Sequence, residues 1–335
     1  MSEPRWLITN ALLVSDGRSF HADLRVRDGR IVRIERSLTA TDDETVVDAS
    51  GLWLLPGMID SQVHFREPGL THKGDLTSES RAAIAGGITS YMEMPNTRPP
   101  AVTIETLEAK YTRAAEVSAA NYGFYLGATN DNLGEIRKLD PTRVPGLKVF
   151  MGASTGNMLV DNPETLDAIF REAPCTLITH CEDTPIIDAN VAEARLRYGD
   201  DIPVELHPEL RSREACIKST RLAIELAQRH GSSLHVLHIS SADELALFEP
   251  GPIEHKRITA ETCVHFLHFD SRDYLRRGNF IKCNPAIKHA ADREAIVRAL
   301  DGAFSLLYEG DDAVADRLAA ARHALAEVEP WEATA

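Results

Sequence analysis

The chain has 335 residues, with 36 Lys and Arg against 51 Asp and Glu, and carries a formal net charge of −15. That balance argues against broad contact with a nucleic-acid backbone or an anionic membrane, both of which need clustered cations. Hydrophobic residues at 43% and charged residues at 26% are those of a folded globular chain and exclude disordered or collagen-like classes. The length suits one large domain with a small appendage. Cys175, Cys181, Cys216, Cys263 and Cys283 are scattered without a C-x-x-C pair, which points away from a disulfide framework or thiolate zinc site. No basic-then-apolar leader opens the sequence, and no apolar run reaches the roughly 20 residues of a membrane span. A cytoplasmic location is expected.

The first stretch, WLITNALLVSDGRSFHADLRVRDGRIVRIE, alternates apolar and polar residues and turns at Asp16-Gly17 and Asp28-Gly29, a pattern of short antiparallel strands. From Leu52 a different order repeats: a short apolar strand, a polar loop, then a longer amphipathic helix. The strands read LWLLPGMID, ITSYMEM, NYGFYLGA, GLKVFMG, TLITHCE, SLHVLHIS and RITAETCVHFLHF. Between them SESRAAIAGG and SREACIKSTRLAIELAQRHG each close on glycine, a helix stop. Strand–helix alternation at this spacing predicts a parallel sheet with helical crossovers. A doubly wound sheet would want a Gly-rich phosphate loop after its first strand, and neither GxGxxG nor GxxxxGK[ST] is there. The expected fold class is therefore α/β, a (β/α)8 TIM-like barrel with seven strands recognised and the eighth missing. The expected division is a small N-terminal β part over 1–55, the barrel over 56–300 and a helical tail over 301–335.

Polar residues collect where those strands end, the face on which barrels carry their chemistry. His64, His180 and His238 occupy the same topological position on three strands, and converging imidazoles suit a divalent zinc ion. Lys148 lies inside an apolar strand, where a bare ammonium must be neutralised or paired. A structural salt bridge is one resolution and carboxylation by carbon dioxide is the other. Arg66 is either a loop-packing arginine or a fork for a substrate carboxylate. Asn96 and Asn284 sit beside prolines, as turn residues or substrate contacts. Cys181 and Cys283 read as small buried hydrophobes.

The run PGMIDSQVHFREPGLTHKGD, followed by MEMPNTRPP, GLKVFMGASTGNM, THCED, LHVLHIS, TAETCVHFLHFD and KCNPAIK, resembles the dihydroorotases of the cyclic amidohydrolase superfamily from about residue 6 to 300. The resemblance implies a metal-dependent barrel of amidohydrolase type with a small β-sandwich. It implies reversible ring closure of N-carbamoyl-L-aspartate to L-dihydroorotate in pyrimidine synthesis. It also implies His64, His180 and His238 as metal ligands and a carboxylated Lys148 as bridge between one or two zinc ions. Arg66 and Asn96 would grip the substrate carboxylate, with Asn284 and His265 also at the substrate. The expected partner is this small molecule, with no nucleic acid and no membrane; a homo-oligomer or a complex with another pyrimidine-pathway enzyme is compatible with it.

There are two departures from the family pattern. Gln62 stands where the superfamily has the first histidine of His-x-His, so one ion, or two held unequally, is expected. The strand-eight motif Asp-His-Ala-Pro-His, whose aspartate is ligand and proton shuttle, is absent, and the sequence from about Asp301 does not align. Asp311 could stand in for that aspartate, but EGDDAVADRLAAARHALAEV reads better as a cap leading into an amphipathic helix. Three functions follow: an active dihydroorotase, a truncated or inactive dihydroorotase-like chain serving as a non-catalytic partner, or a hydantoinase- or allantoinase-type amidohydrolase.

Overall fold

The computed structural model describes residues 5–152, 157–251, 253 and 255–307, the last seven as backbone only. Two compact units divide at Met58/Ile59, three residues beyond the expected boundary, and the second runs to Leu306.

The first unit is a sheet of β1 (Trp6–Ser15), β2 (Arg18–Arg27), β3 (Arg30–Glu35), β4 (Thr45–Asp48) and β5 (Trp53–Leu54). Its order is β3-β2-β1-β4, with β5 also paired to β1. The expected hairpins form: Asp16-Gly17 and Asp28-Gly29 all have positive φ, the twist a two-residue hairpin needs. Ala11, Leu13, Ala22, Leu24 and Ala49 form its buried cluster.

In the second unit, β6 (Met58–Val63), β7 (Ile88–Glu93), β8 (Asn121–Phe124), β9 (Leu126–Gly127), β10 (Leu147–Phe150), β11 (Leu177–His180), β12 (Leu234–Val236) and β13 (Ile258–Ala260) follow one another in space as in sequence. β8 and β9 are one strand interrupted at Tyr125, the first half pairing β7 and the second β10, both in parallel. The ladders β10–β11, β11–β12 and β12–β13 are parallel too. Each of the seven expected strands is present, with altered limits. LWLLPGMID is broken at Pro56-Gly57, so its first half joins the first unit and the strand entering the second begins at Met58. The seventh was expected to run through His265 but ends at Ala260.

The intervening helices are α1 (Leu76–Ala85), α2 (Ile104–Val117), α3 (Leu133–Ile136), α4 (Pro163–Glu172), α5 (Thr184–Tyr198), α6 (His207–Leu210), α7 (Arg213–His230), α8 (Ala242–Leu245), α9 (Val264–His268), α10 (Tyr274–Arg277) and α11 (Ala290–Leu307). Their ends follow local chemistry. Ser212 caps α7 through the Ala215 N–H, and Gly231 closes it with φ +69°. In α4, Asn162 caps, Pro163 opens the first turn, and Leu166, Ile169 and Phe170 face inward at helical spacing. No helix among the described residues is long and apolar enough to cross a membrane. α11 runs across the boundary expected at 300, and Asp311 lies outside the described residues.

Every residue of β10 and β11 is buried, as expected of parallel strands covered on both faces. One apolar cluster (Phe124, Leu147, Val149, Leu177, Leu234 and the inward helix residues) fills the layer between strands and helices. A second, of Met94, Tyr125, Ile178 and Leu237, lies on the other face of the strands. The loops leaving β10 and β11 touch backbone to backbone, because a Cβ on Gly152 would stand 1.7 Å from the Glu182 carbonyl oxygen. Gly152→Ala must therefore displace the segment just after His180. It is expected to cost roughly 2–3 kcal/mol, the usual penalty of overpacking, and to lower the melting temperature by several degrees in a calorimetric scan.

Candidate active site

All eight described candidates, His64, Arg66, Asn96, Lys148, His180, His238, His265 and Asn284, line one cavity of about 640 Å3 within the second unit. Strand register puts them there. Phe150 lies opposite His180 and Lys148 opposite Ile178, so Lys148 points to the same face as His180, one layer deeper. His64 follows β6 directly, and His238 follows β12 by two residues with φ +43°. Arg66 has φ +69°. Left-handed backbone on residues with side chains is costly and persists where surrounding structure enforces it. His265 reaches the cavity from a helical turn rather than from a strand.

Lys148 is 1% exposed, and its Nζ makes no hydrogen bond or ion pair with a described residue. The nearest ring is Phe150, 4.5 Å from Nζ to the centroid. Burial pushes the ammonium down to about 7, with Cys181 and Glu261 opposing. The structural salt bridge considered for Lys148 is thus not formed with any described residue.

His180 Nδ1 lies 3.0 Å from His238 Nε2. His180 Nε2 is 2.8 Å from Glu182 Oε2, and Arg211 donates to the same oxygen at 2.5 Å. Burial raises the Glu182 carboxyl, but its bonds to His180 and Arg211 outweigh that and hold it below the usual range. The Glu182 contact assigns the His180 proton to Nε2 and leaves the Nδ1 lone pair facing His238. Burial lowers both imidazoles, His238 far below its ordinary value, so both are neutral. His238 Nδ1 is buried without a partner.

His64 is placed differently. Its Nδ1 bonds Asn96 Oδ1 at 2.9 Å, and burial, with the charges of Arg66 and Lys148, pushes it down to about 3. Among the described residues no three His, Cys, Asp or Glu side chains converge on a single ion position. The expected three-imidazole cluster is thus a pair, His180–His238, with His64 held aside by Asn96. The pair fits one divalent ion: two nitrogens each about 2.0–2.1 Å from zinc stand roughly 3.0–3.4 Å apart. A two-ion set is poorly matched by the described residues, because Gln62 offers a neutral oxygen and no described Asp or Glu lines the cavity.

That last point extends to the whole lining. Arg66, Lys73, Arg98, Lys148 and Lys282 face the cavity with no carboxylate among the described lining residues, in a chain whose net charge is −15. The Arg66 guanidinium is half-buried, is lowered by burial, and has no carboxylate in ion-pair contact among the described residues. Glu182, Arg211 and Glu93 were not singled out from the sequence. Glu182 sits inside the THCED motif, two residues after His180, and that spacing was the available signal.

The family described as dihydro-orotase-like matches residues 51–244. An allantoinase from Deinococcus radiodurans is 33% identical over 304 residues, covering 88% of this chain and 66% of the relative. An allantoinase from Bacillus velezensis is 31% identical, covering 88% and 65%. Among solved structures, an L-hydantoinase (dihydropyrimidinase) from Arthrobacter aurescens superimposes with a TM-score of 0.81 at 27% identity, covering 87% of this chain and 65% of that one. The chain thus spans 65–66% of the length of these relatives. The superfamily expected from the motifs is borne out, and these relatives bear the names allantoinase and hydantoinase rather than dihydroorotase.

The low Lys148 value gives a pH signature in metal-free, CO2-free protein. Its folded value of about 7 lies below the ordinary 10.5, so between them the unfolded chain holds a proton that the folded one lacks. Stability then rises with pH across that window, by at most about 1.4 kcal/mol per unit, and the contribution is flat below it. Urea unfolding at pH 7 and pH 9 should show this slope in the parent and not in Lys148→Met; equal slopes would contradict it.

Proposed function

The chain belongs to the dihydro-orotase-like family, and we propose that its cavity binds a cyclic amide bearing a carboxylate, with reversible opening of the dihydroorotate ring to N-carbamoyl-aspartate as the reaction. The observation that carries this reading is a lining without Asp or Glu among the described residues, together with the half-buried Arg66. An anionic ligand gains most where the pocket is cationic and partly shielded from water. Arg66 presents a planar fork suited to a carboxylate, and Asn96 beside it fixes His64. Asn284 and His265 border the remaining wall.

One zinc ion, held by His180 and His238 with His64 and a carboxylated Lys148 alongside, would supply Lewis-acid polarisation of the scissile carbonyl. Lys148 suits carboxylation because an amine lowered to about 7 is about half free base at neutrality, whereas one at the ordinary value is almost wholly protonated. Glu182 keeps His180 in one tautomer and one orientation. The proton-shuttling carboxylate expected from the family has no counterpart among the lining residues, so ligand binding and turnover are separate measurements here.

A second reading is hydrolysis of allantoin, which the names of the two relatives favour. Allantoin carries a ureido group and no carboxylate, so the two readings separate on one residue. Arg66→Met is expected to weaken binding of dihydroorotate at least 30-fold, the loss of about 2 kcal/mol typical of a charge-assisted pair, and to leave hydantoin unaffected. Faster turnover of allantoin than of dihydroorotate by the parent would install the second reading. His238→Ala should lose bound zinc after dialysis, read by elemental analysis; full retention would remove His238 from the ligand set.

A further inference from the structure

We propose that the buried Glu93–Lys110 pair is a positioning device that holds Arg66 and Asn96, the anion-gripping side of the cavity, in their working geometry. The inference rests on the functional reading above and adds two residues to it.

Glu93 is the last residue of β7 and is fully buried; Lys110 lies in α2 and is 3% exposed. Lys110 Nζ stands 2.6 Å from Glu93 Oε2. A buried ion pair is weak evidence of net stabilisation, because desolvating both charges offsets their attraction and apolar replacements are often neutral or better. Its retention asks for another role, and the remaining contacts of the two side chains supply one. Glu93 Oε1 accepts the Arg66 backbone N–H at 3.1 Å, and Lys110 Nζ donates to the Met94 carbonyl at 3.2 Å.

Each contact lands on a loop that carries a cavity residue. The Arg66 backbone is left-handed at φ +69°, and a bond to its own N–H is the kind of external constraint that such a conformation needs. Met94 lies two residues before Asn96, whose side chain holds His64 Nδ1 at 2.9 Å. The two loops also interlock. Arg98 N–H donates to the Pro68 carbonyl at 3.0 Å, and a Cβ on Gly69, itself at φ +80°, would lie 2.0 Å from the Arg98 carbonyl oxygen. With so little slack between them, a carboxylate tied to one loop and an ammonium tied to the other set the separation of Arg66 and Asn96 through a single contact.

Two double variants separate positioning from mere packing. Glu93→Met with Lys110→Met keeps volume and leaves no unpaired buried charge. Glu93→Gln with Lys110→Met keeps an acceptor for the Arg66 N–H. The test is calorimetric binding of N-carbamoyl-L-aspartate to the full chain, with the thermal midpoint recorded alongside. The Met/Met variant should fold and bind at least tenfold more weakly than the parent, and the Gln/Met variant, which keeps the tie to the Arg66 N–H but not the tie to Met94, should recover only part of that loss; full recovery would show Lys110 to be dispensable and overturn the pair's role. A folded Met/Met variant that binds as the parent does, or equal weakening in both variants, would overturn the proposal. Failure of Met/Met to fold while Gln/Met folds would make the pair structural and overturn it too. Absence of binding by the parent would instead sink the functional reading. The positioning is then read from the crystal structure of Met/Met, in which Arg66 should leave the left-handed region; retention of φ near +69° would reject it.

Discussion

An amine enclosed on an inner strand, with no ion-pair partner among the described residues, governs the rest of the cavity. Lys148 is flanked by β9 and β11, of which β11 pairs with β10 along its length and β9 pairs at Leu147 and Lys148. In water its charge would be solvated; here, among the described residues, the compensation comes from the ring face of Phe150 and from Cys181 and Glu261. Desolvation on this scale makes the site hungry for negative charge. The same burial and the same positive neighbours keep His64 and His238 neutral. A neutral imidazole is the ligating form, so one electrostatic circumstance prepares both the anion-binding and the cation-binding capacity of the pocket.

The geometry around that amine is maintained by backbone as much as by side chains. His180 is aimed by Glu182, which is itself fixed by Arg211, and the backbone of Glu182 is pressed against Gly152. The strand-end loops on the other side are held by the Glu93 carboxylate and the tight approach of Gly69 to Arg98. Two left-handed residues, Arg66 and His238, line the pocket. Local conformational cost is concentrated where side chains must be aimed, a common arrangement in binding sites carried on a rigid sheet.

Much of this was legible in the chain. Apolar strands bounded by glycine-stopped helices gave the order of elements, and the polar residue at each strand end located the pocket wall. What could not be read was distance. That His64, His180 and His238 share a topological position says nothing about whether their nitrogens meet, and His64 is taken up by Asn96, a partner 32 residues away. Lys110 escaped notice because a lysine among Glu105, Glu108 and Arg113 on an amphipathic helix reads as solvent-facing; only the tertiary fold reveals it as 3% exposed. The seventh strand was over-extended because VHFLHF has no polar break, and a short apolar run reads equally as strand or helix. The backbone leaves the ladder after Glu261, whose N–H still bonds the Val236 carbonyl, and Cys263 opens the turn of α9.

Relatives named allantoinase and a pocket suited to a carboxylate are compatible observations, because they report on different parts of the molecule. Identity of 33% over 304 residues is spread across the scaffold, whereas ring choice depends on the few side chains at the strand ends. A ureido ligand presents several N–H donors and asks for acceptors. Two of the side-chain acceptors here are engaged: Asn96 Oδ1 faces His64, and Gln62 Oε1 accepts from the Cys263 thiol at 3.7 Å. The cationic donors, from Arg66 at the wall to Lys73, Arg98 and Lys282 at the rim, outnumber them and have no carboxylate in the lining to satisfy them. Binding a donor-rich neutral ring would leave those cations facing donors, an arrangement that costs on both sides. A ligand that brings its own carboxylate resolves the mismatch, as the proposed dihydroorotate ring does.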